Sequence, residues 1–405
     1  MEHFLMSDQP VIQGDKDQHF DYIIAGGGLS GLMLAYRTSL DTYFDSKKIL
    51  IIDRQAKIDN DRTWCYWEKG DGEWDHLLTK SWEKIYFGSE NYKATIPLEK
   101  YRYKMVRSKK LYAFFHEAIA HKTNITSIIE NITSIDDDKD GVIVTSDRTK
   151  YYAKKVFTSI FDNNQLTSQQ TYAYLKQHFV GWFVEVDQPL FDDSTAVFMD
   201  FDIPQSANTR FMYVLPTSPT VALFEHTLFS EDLLSISEYE DSIKAYLNKS
   251  GIKNYRIIEK EQGNIPMTCF PFEYKNSINL MSIGSAGGWT KPSTGYTFGL
   301  TTEYSRRLIS FLKSSDDLSK FSVINRYWYY DLIMLDVLQR KNVLGSEIFA
   351  SIFKGNKVEE IFRFLDQKGT VWSDLKIMLN TKPMHEFSYS AIKQTKTMIG
   401  KLMNK

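Results

Sequence analysis

The strongest constraint in this chain is a strand-turn-helix-strand signature in its first sixth. Tyr22-Ile23-Ile24-Ala25 is a short apolar strand that runs into Gly26-Gly27-Gly28-Leu29-Ser30-Gly31; helical periodicity follows in LMLAYRTSL, and a second apolar run, Ile49-Leu50-Ile51-Ile52, ends at Asp53. Gly26 permits the tight turn, Gly28 lets a pyrophosphate approach the backbone, and Gly31 allows helix and strand to pack closely. Leu29 and Ser30 open the helix, whose free N–H groups and positive dipole end suit phosphates. Asp53, 22 residues beyond Gly31, is positioned for a ribose hydroxyl. The unit predicts a dinucleotide-binding fold.

FAD is favoured over NAD because the motif comes early and a second glycine-rich strand-loop comes late, at Ile283-Gly284-Ser285-Ala286-Gly287-Gly288. Such a late loop approaches the ribityl chain and ring in two-part flavoprotein folds. Arg107 is either a cation near the pyrophosphate or an exposed helix arginine. Between the two glycine segments, HFVGWFVEV, TAVFMDF, TRFMYVLP and TVALFEHTLF have strand composition with turn punctuation, which predicts a mainly antiparallel sheet carrying a ligand site. A helical stretch is expected from about Tyr101 to His121, and beyond Tyr304 the pattern is helical. The expected class is α/β: a Rossmann-type FAD-binding domain (1–160 and 260–310), an inserted antiparallel sheet domain for substrate (161–259) and a helical C-terminal region (311–405).

Composition narrows the function. With 405 residues a large core is available. Lys+Arg 49 against Asp+Glu 51 gives a formal charge of −2, so no bulk electrostatic attraction to nucleic acid is expected. The two cysteines, Cys65 and Cys269, lie in no metal-binding pattern, and their usage fits a reducing cytoplasm. The first twenty residues show no signal or transit pattern, and no apolar run is long enough to span a bilayer. Aromatic residues make up 14% of the chain, which fits either a well-filled core or a tunnel for a long apolar ligand.

One acid stands out, Glu225 in Ala222-Leu223-Phe224-Glu225-His226-Thr227. Strand alternation points Leu223 and Glu225 one way, Phe224 and His226 the other. A carboxyl among apolar neighbours has its charged form disfavoured and can act as a general acid; a solvated strand glutamate is the bland alternative.

Several ordered segments resemble the lycopene cyclase family over nearly the whole chain. They are Arg62-Thr63-Trp64-Cys65-Tyr66-Trp67, Tyr101 to Arg107, Phe198-Met199-Asp200, Arg210 to Pro216, Phe224-Glu225-His226-Thr227, Gly263-Asn264-Ile265-Pro266-Met267, and GSAGGWTKPSTGYTF from Gly284 to Phe298. The resemblance implies acid-initiated cyclisation of the ψ-ends of lycopene or a related acyclic carotene to β-rings, with β-carotene formed via γ-carotene. Glu225 is then the acid. Reduced FAD stabilises the cation without net redox change, and NADPH or NADH serves to reduce it. The late signature implies flavin contacts from Gly284, Gly287, Gly288, Ser293, Thr294 and Gly295.

In the family a second acid stands beside the first, where this chain has His226, which either relays protons or only orients. Trp64, Tyr66, Trp67 and Trp289 are tunnel walls or plain core. Phe224 and His226 are counted with them at the substrate site, and Asp200 is a substrate-site carboxylate or a structural hydrogen bonder.

A lipid-soluble substrate implies a peripheral position on the inner face of a membrane. In AIKQTKTMIGKLMNK, Ala391, Ile392, Met398, Ile399, Leu402 and Met403 share a helical face opposite Lys393 and Lys401, which suits a membrane surface or packing on the protein itself. A flavin monooxygenase or reductase acting on an isoprenoid or aromatic substrate, and a carotenoid carrier without chemistry, are the alternatives.

Overall fold

The computed structural model describes residues 18–138 and 140–403, with side chains through residue 396. The chain opens with β1 (His19–Ala25), α1 (Leu29–Leu40) and β2 (Ile49–Asp53), the predicted unit. It then leaves the nucleotide-binding region for β3 (Thr63–Lys69), β4 (Lys80–Trp82), a hairpin of β5 (Lys84–Ser89) and β6 (Tyr92–Pro97), and β7 (Tyr101–Arg107). It returns through α2 (Ser108–Ala120), β8 (Ile125–Ile129), β9 (Ile132–Asp138), β10 (Gly141–Ser146) and β11 (Lys150–Thr158). The expected helix from Tyr101 to His121 therefore begins only at Ser108. Tyr101–Arg107 is instead the middle strand of a sheet ordered β3-β7-β4. Flanked on both edges, its charged Lys104 is buried, with Nζ held by Asp75 at 2.5 Å and Glu68 at 3.0 Å.

After the short α3 (Asn164–Thr167) come β12 (Leu175–Glu185), β13 (Thr195–Asp200), β14 (Thr209–Ser218), β15 (Val221–Ser230), α4 (Ile236–Lys249), β16 (Arg256–Met267) and β17 (Leu280–Ser282). The helices α5 (Phe298–Leu312), α6 (Arg326–Arg340), α7 (Gly345–Gly355), α8 (Val358–Leu365), α9 (Val371–Asn380) and α10 (Met384–Met403) complete the chain.

Two large sheets organise this material. In the first, ordered β8-β2-β1-β11-β10-β9 with β17 added beside β11, the pairs β8·β2, β2·β1, β1·β11 and β11·β17 are parallel. Parallel strands are buried on both faces, and residues 22–25 of β1 and 49–52 of β2 are correspondingly apolar and buried. The second sheet, ordered β16-β12-β15-β14-β13-β5-β6, is antiparallel except for β13·β5. It takes strands from 84–97 and 256–267 and so extends past the expected limits of 161–259. One face packs on α4; the other packs on α6, α7 and α8 around Phe198, Phe211, Phe353 and Phe362.

The late signature is fastened to the helical region by a buried ion pair, Lys291 Nζ to Asp331 at 2.7 Å, with both side chains under 5% exposed. Ser293 Oγ donates to the same carboxylate at 2.6 Å. Removing one member of a buried pair leaves an uncompensated charge. Asp331→Ala should therefore lower the unfolding free energy by about 3–5 kcal/mol, measured by denaturant titration; a loss within the range of an exposed pair would show that the ion pair contributes little.

Candidate active site

The glycine turn is built as its spacing predicts. Gly26 has φ of 106°, and a Cβ at Gly31 would stand 1.9 Å from the Gly26 carbonyl oxygen. Gly28 caps α1 with no side chain of its own, and nothing lies within 4 Å of the place its Cβ would occupy. The first amides of a 12-residue helix are thereby left to an outside acceptor. Asp53 ends β2 beside the turn, its Oδ2 accepting from Gly27 N at 2.6 Å. The late loop closes on the same place. A Cβ on Gly284, φ 61°, would meet Ser30 Oγ at 2.4 Å.

A cavity of about 460 Å³ begins there. Gly28, Leu29, Ser30, Gly284 and Ser285 line one end, with Lys57 and Arg62 on its wall, and Glu225 and Glu261 line its interior. A second, almost wholly apolar cavity of about 250 Å³ lies among the C-terminal helices, walled by Phe198, Phe353, Ile361, Met378 and Ala391. Tyr213, Thr294 and Tyr296 border both. The Tyr296 hydroxyl lies 3.2 Å from that of Tyr103 and 3.4 Å from that of Tyr213, so three phenols stand at the junction. Burial drives all three hydroxyls above their ordinary pKa and keeps them protonated.

Glu225 lies on β15 with the alternation read from sequence. Leu223 and Glu225 face the cavity, while Phe224 packs in the core toward α4. Its Oε1 accepts from Thr227 Oγ1 at 2.7 Å. Burial pushes the carboxyl well above the usual carboxylate range, and the charge of Glu261 pushes the same way. Glu261 was not legible as a site residue. It arrives on β16, two strands away, because Gly181 of β12 pairs with Glu225 on one side and Glu261 on the other. Glu261 Oε2 accepts from Thr63 Oγ1 at 2.6 Å, and the two glutamates are hydrogen-bonded to each other. A carboxyl hydrogen-bonded to a carboxylate can deliver a proton to a substrate without a water molecule between them.

Several expected residues lie elsewhere. Arg107 is not exposed; its guanidinium pairs with Glu259 and lies 4.2 Å from the Phe183 ring centre. Arg62 and Lys57 are the cations on the cavity wall. His226 is fully buried against Tyr239 of α4, with neither ring nitrogen hydrogen-bonded among the described residues. Burial, with the charges of Arg210 and His178, pulls its pKa down to about 3, so it stays neutral and cannot relay protons near neutral pH. Phe224 shares that off-cavity face because of the strand period.

Asp200 is held by the Tyr246 hydroxyl at 2.7 Å, outside both cavities, as a structural hydrogen bonder. Trp289 is fully buried in the core beneath the nucleotide-binding sheet. Trp67 stacks on Phe362, centroids 4.8 Å apart, and is core as well. Only Trp64 of the three tryptophans borders a cavity. Gly287 and Gly288 shape the late turn without lining the cavity; Gly287 packs against the Ser282 carbonyl. Ser293 faces the apolar cavity and Asp331, whereas Thr294 and Gly295 border the larger cavity.

A family model described as lycopene cyclase protein matches residues 21–391. A lycopene beta-cyclase of Pantoea ananas is 23% identical over 304 residues, covering 72% of this chain and 74% of the relative. A chloroplastic lycopene beta cyclase of Solanum lycopersicum is 24% identical over 311 residues, covering 72% of this chain and 60% of the relative. Among solved structures, a flavin-dependent brominase superposes with a TM-score of 0.60 at 13% identity, covering 94% of this chain and all (100%) of the other. A geranylgeranyl bacteriochlorophyll reductase-like protein from Thermoplasma acidophilum gives 0.58 at 13% identity, covering 94% and 99%. These neighbours share the α/β, Rossmann-type fold anticipated from the glycine pattern.

The elevated Glu225 pKa has a consequence for stability. Below about pH 4 the carboxyl is protonated in folded and unfolded chains alike. As pH rises past that value the unfolded chain ionises first, so the folded state loses relative stability until Glu225 itself ionises. Glu225→Gln should therefore melt higher than the native protein at pH 7, with the difference closing toward pH 4. Equal melting temperatures at both pH values would show that the carboxyl is not held protonated.

Proposed function

The chain belongs to the lycopene cyclase family, and from that premise we propose that it cyclises the ψ-end groups of lycopene or a related acyclic carotene to β-rings, with Glu225 as the acid. The observation that carries this reading is a half-buried carboxyl lining a cavity that reaches the glycine turn at one end and adjoins an almost wholly apolar chamber at the other. The polyene lies in the apolar chamber with its end group past Tyr213 and Tyr296. Glu225 gives its proton to the terminal double bond, and the resulting tertiary cation is attacked by a neighbouring double bond. Loss of a ring proton restores neutrality. The aromatic faces of Tyr213 and Tyr296 steady the cation while the apolar walls exclude water that would otherwise capture it.

The residues present fit FAD. The uncapped amides and open Gly28 receive the pyrophosphate, Asp53 receives a ribose hydroxyl, Arg62 and Lys57 supply positive charge, and the Gly284 loop approaches the ribityl side. When bound in reduced form, the flavin supplies negative charge beside the developing cation without net redox change, and NADPH or NADH serves only to reduce it.

The substrate enters from a bilayer. Trp372 and Leu379 of α9 are 83% and 60% exposed, and Leu375, Met378 and Leu379 of the same helix border the apolar chamber. Among the described residues no helix is long and apolar enough to cross a membrane; the proposed attachment is peripheral, at the cytoplasmic face. The start of α10 packs inward, with Ser390 and Gln394 holding Asp336; Met398, Ile399, Leu402 and Met403 of the expected apolar face, and Lys401 opposite them, lie outside the described side chains.

Expression in a lycopene-accumulating bacterium should give monocyclic or bicyclic carotenes with the native protein and none with Glu225→Gln, read by pigment chromatography. Oxygen uptake coupled to NADPH oxidation in place of ring formation would favour the monooxygenase reading. Paired Trp372→Glu and Leu379→Glu should reduce co-sedimentation with anionic liposomes several-fold; unchanged binding would remove α9 from the membrane contact.

A further inference from the structure

Glu261 has no part in the cyclase reading above, yet it is the group that Glu225 touches. Three features of the fold bring the two together. Gly181 separates them on β12, and a Cβ there would stand 3.1 Å from Glu261 Cγ and 3.5 Å from Glu225 Cβ, so the absence of a side chain is what lets the carboxyls meet. Thr63 Oγ1 donates to Glu261 Oε2 at 2.6 Å from a different sheet. Burial pushes the Glu261 carboxyl up as well; the Thr63 hydroxyl and Arg107, anchored on Glu259, work against that and favour its ionised form.

We propose that Glu261 is the positioning residue of the acid: as a carboxylate fixed by Thr63 and Arg107, it accepts the Glu225 hydroxyl hydrogen bond, holds the proton on Glu225 and aims it into the cavity. The inference rests on the cyclase reading.

The proton balance follows from the pairing. At rest the pair holds one proton and one negative charge. Protonation of the substrate breaks the Glu225 O–H bond and forms a C–H bond, leaving two adjacent carboxylates opposite the new cation. That arrangement is costly alone and favourable beside a positive carbon. When the ring carbon loses its proton, the electron pair of that C–H bond becomes the ring double bond and the proton returns to the pair. No oxidant or reductant enters.

The charged and titratable groups facing the pair are Arg107 and Glu259, the Cys65 thiol, and the phenols of Tyr103, Tyr213 and Tyr296. Burial raises the thiol and the phenols above their usual ranges, so they stay neutral where the pair titrates.

Two substitutions move the pair in opposite directions. Glu261→Gln removes the neighbouring negative charge, so Glu225 ionises more readily and the alkaline limb of the kcat profile moves down by about one pH unit or more. Thr63→Val keeps the shape but removes a donor that favours the Glu261 carboxylate. Both ionisations of the pair then become harder, and the alkaline limb moves up.

The test uses the flavin-loaded protein with lycopene in liposomes, following ring formation from pH 6 to 10 and checking flavin content in each variant. Opposite shifts of the two limbs at retained flavin content are expected. Unchanged limbs in both variants, with the native enzyme active and Glu225→Gln inactive, would overturn the role of Glu261 while leaving the cyclase reading intact. Absence of ring formation by the native protein would instead remove that reading. Should Glu261→Gln fail to retain flavin, the Thr63→Val limb decides alone, and an unmoved limb overturns the proposal.

Discussion

Two carboxyls set side by side on the wall of a cavity repel one another unless a proton is shared, and the register of β15, β12 and β16 brings them together here. Glu225 and Glu261 pair with the same residue, Gly181, from opposite edges of β12. Any larger side chain at that position would stand between them. The rest of the site serves this contact. Thr63 and Arg107 reach it from β3 and the end of β7, so the small three-stranded sheet supports the chemistry of the large one. The apolar neighbours Leu215 and Leu223, which border the same cavity, limit hydration and keep the proton on Glu225.

The two cavities divide the labour by polarity. The glycine turn and the late loop end in backbone amides and hydroxyls, which suit a nucleotide, whereas the helical region offers almost nothing but methylenes and rings. Tyr213, Thr294 and Tyr296 form the partition. The late signature, tied to α6 through Lys291 and Asp331, holds one side of that partition in place. The helical region is therefore part of the substrate site as well as a cover for the sheet.

The sequence carries the nucleotide-binding unit almost completely, because each of its glycines meets a local backbone demand that spacing reveals. It also carries the alternation that turns Phe224 and His226 away from Glu225, a local property, whereas their place in the motif suggests a substrate-site role that the cavity lining does not support. Glu261 was hidden because Glu259-Lys260-Glu261 on a sheet-edge strand reads as a solvated polar run; its partner is set by register across two strands, which no local pattern encodes. Arg107 was misread for a related reason. The run YRYKMVR lies between two other strands and is buried on a strand, not carried on a helix. Trp67 and Trp289 show the limit of reading aromatic residues from motifs, since composition does not separate a ring that lines a cavity from one that fills a core.

The central claim, that a carboxyl proton starts the reaction and an equivalent proton ends it, is tested most directly by running the conversion in deuterated water and weighing the product. A carboxyl proton replaced from solvent between turnovers becomes a deuteron, so each β-ring formed should carry one solvent deuteron on carbon. Rings formed with no deuterium, or with hydrogen delivered from labelled NADPH, would contradict acid initiation by Glu225 and Glu261.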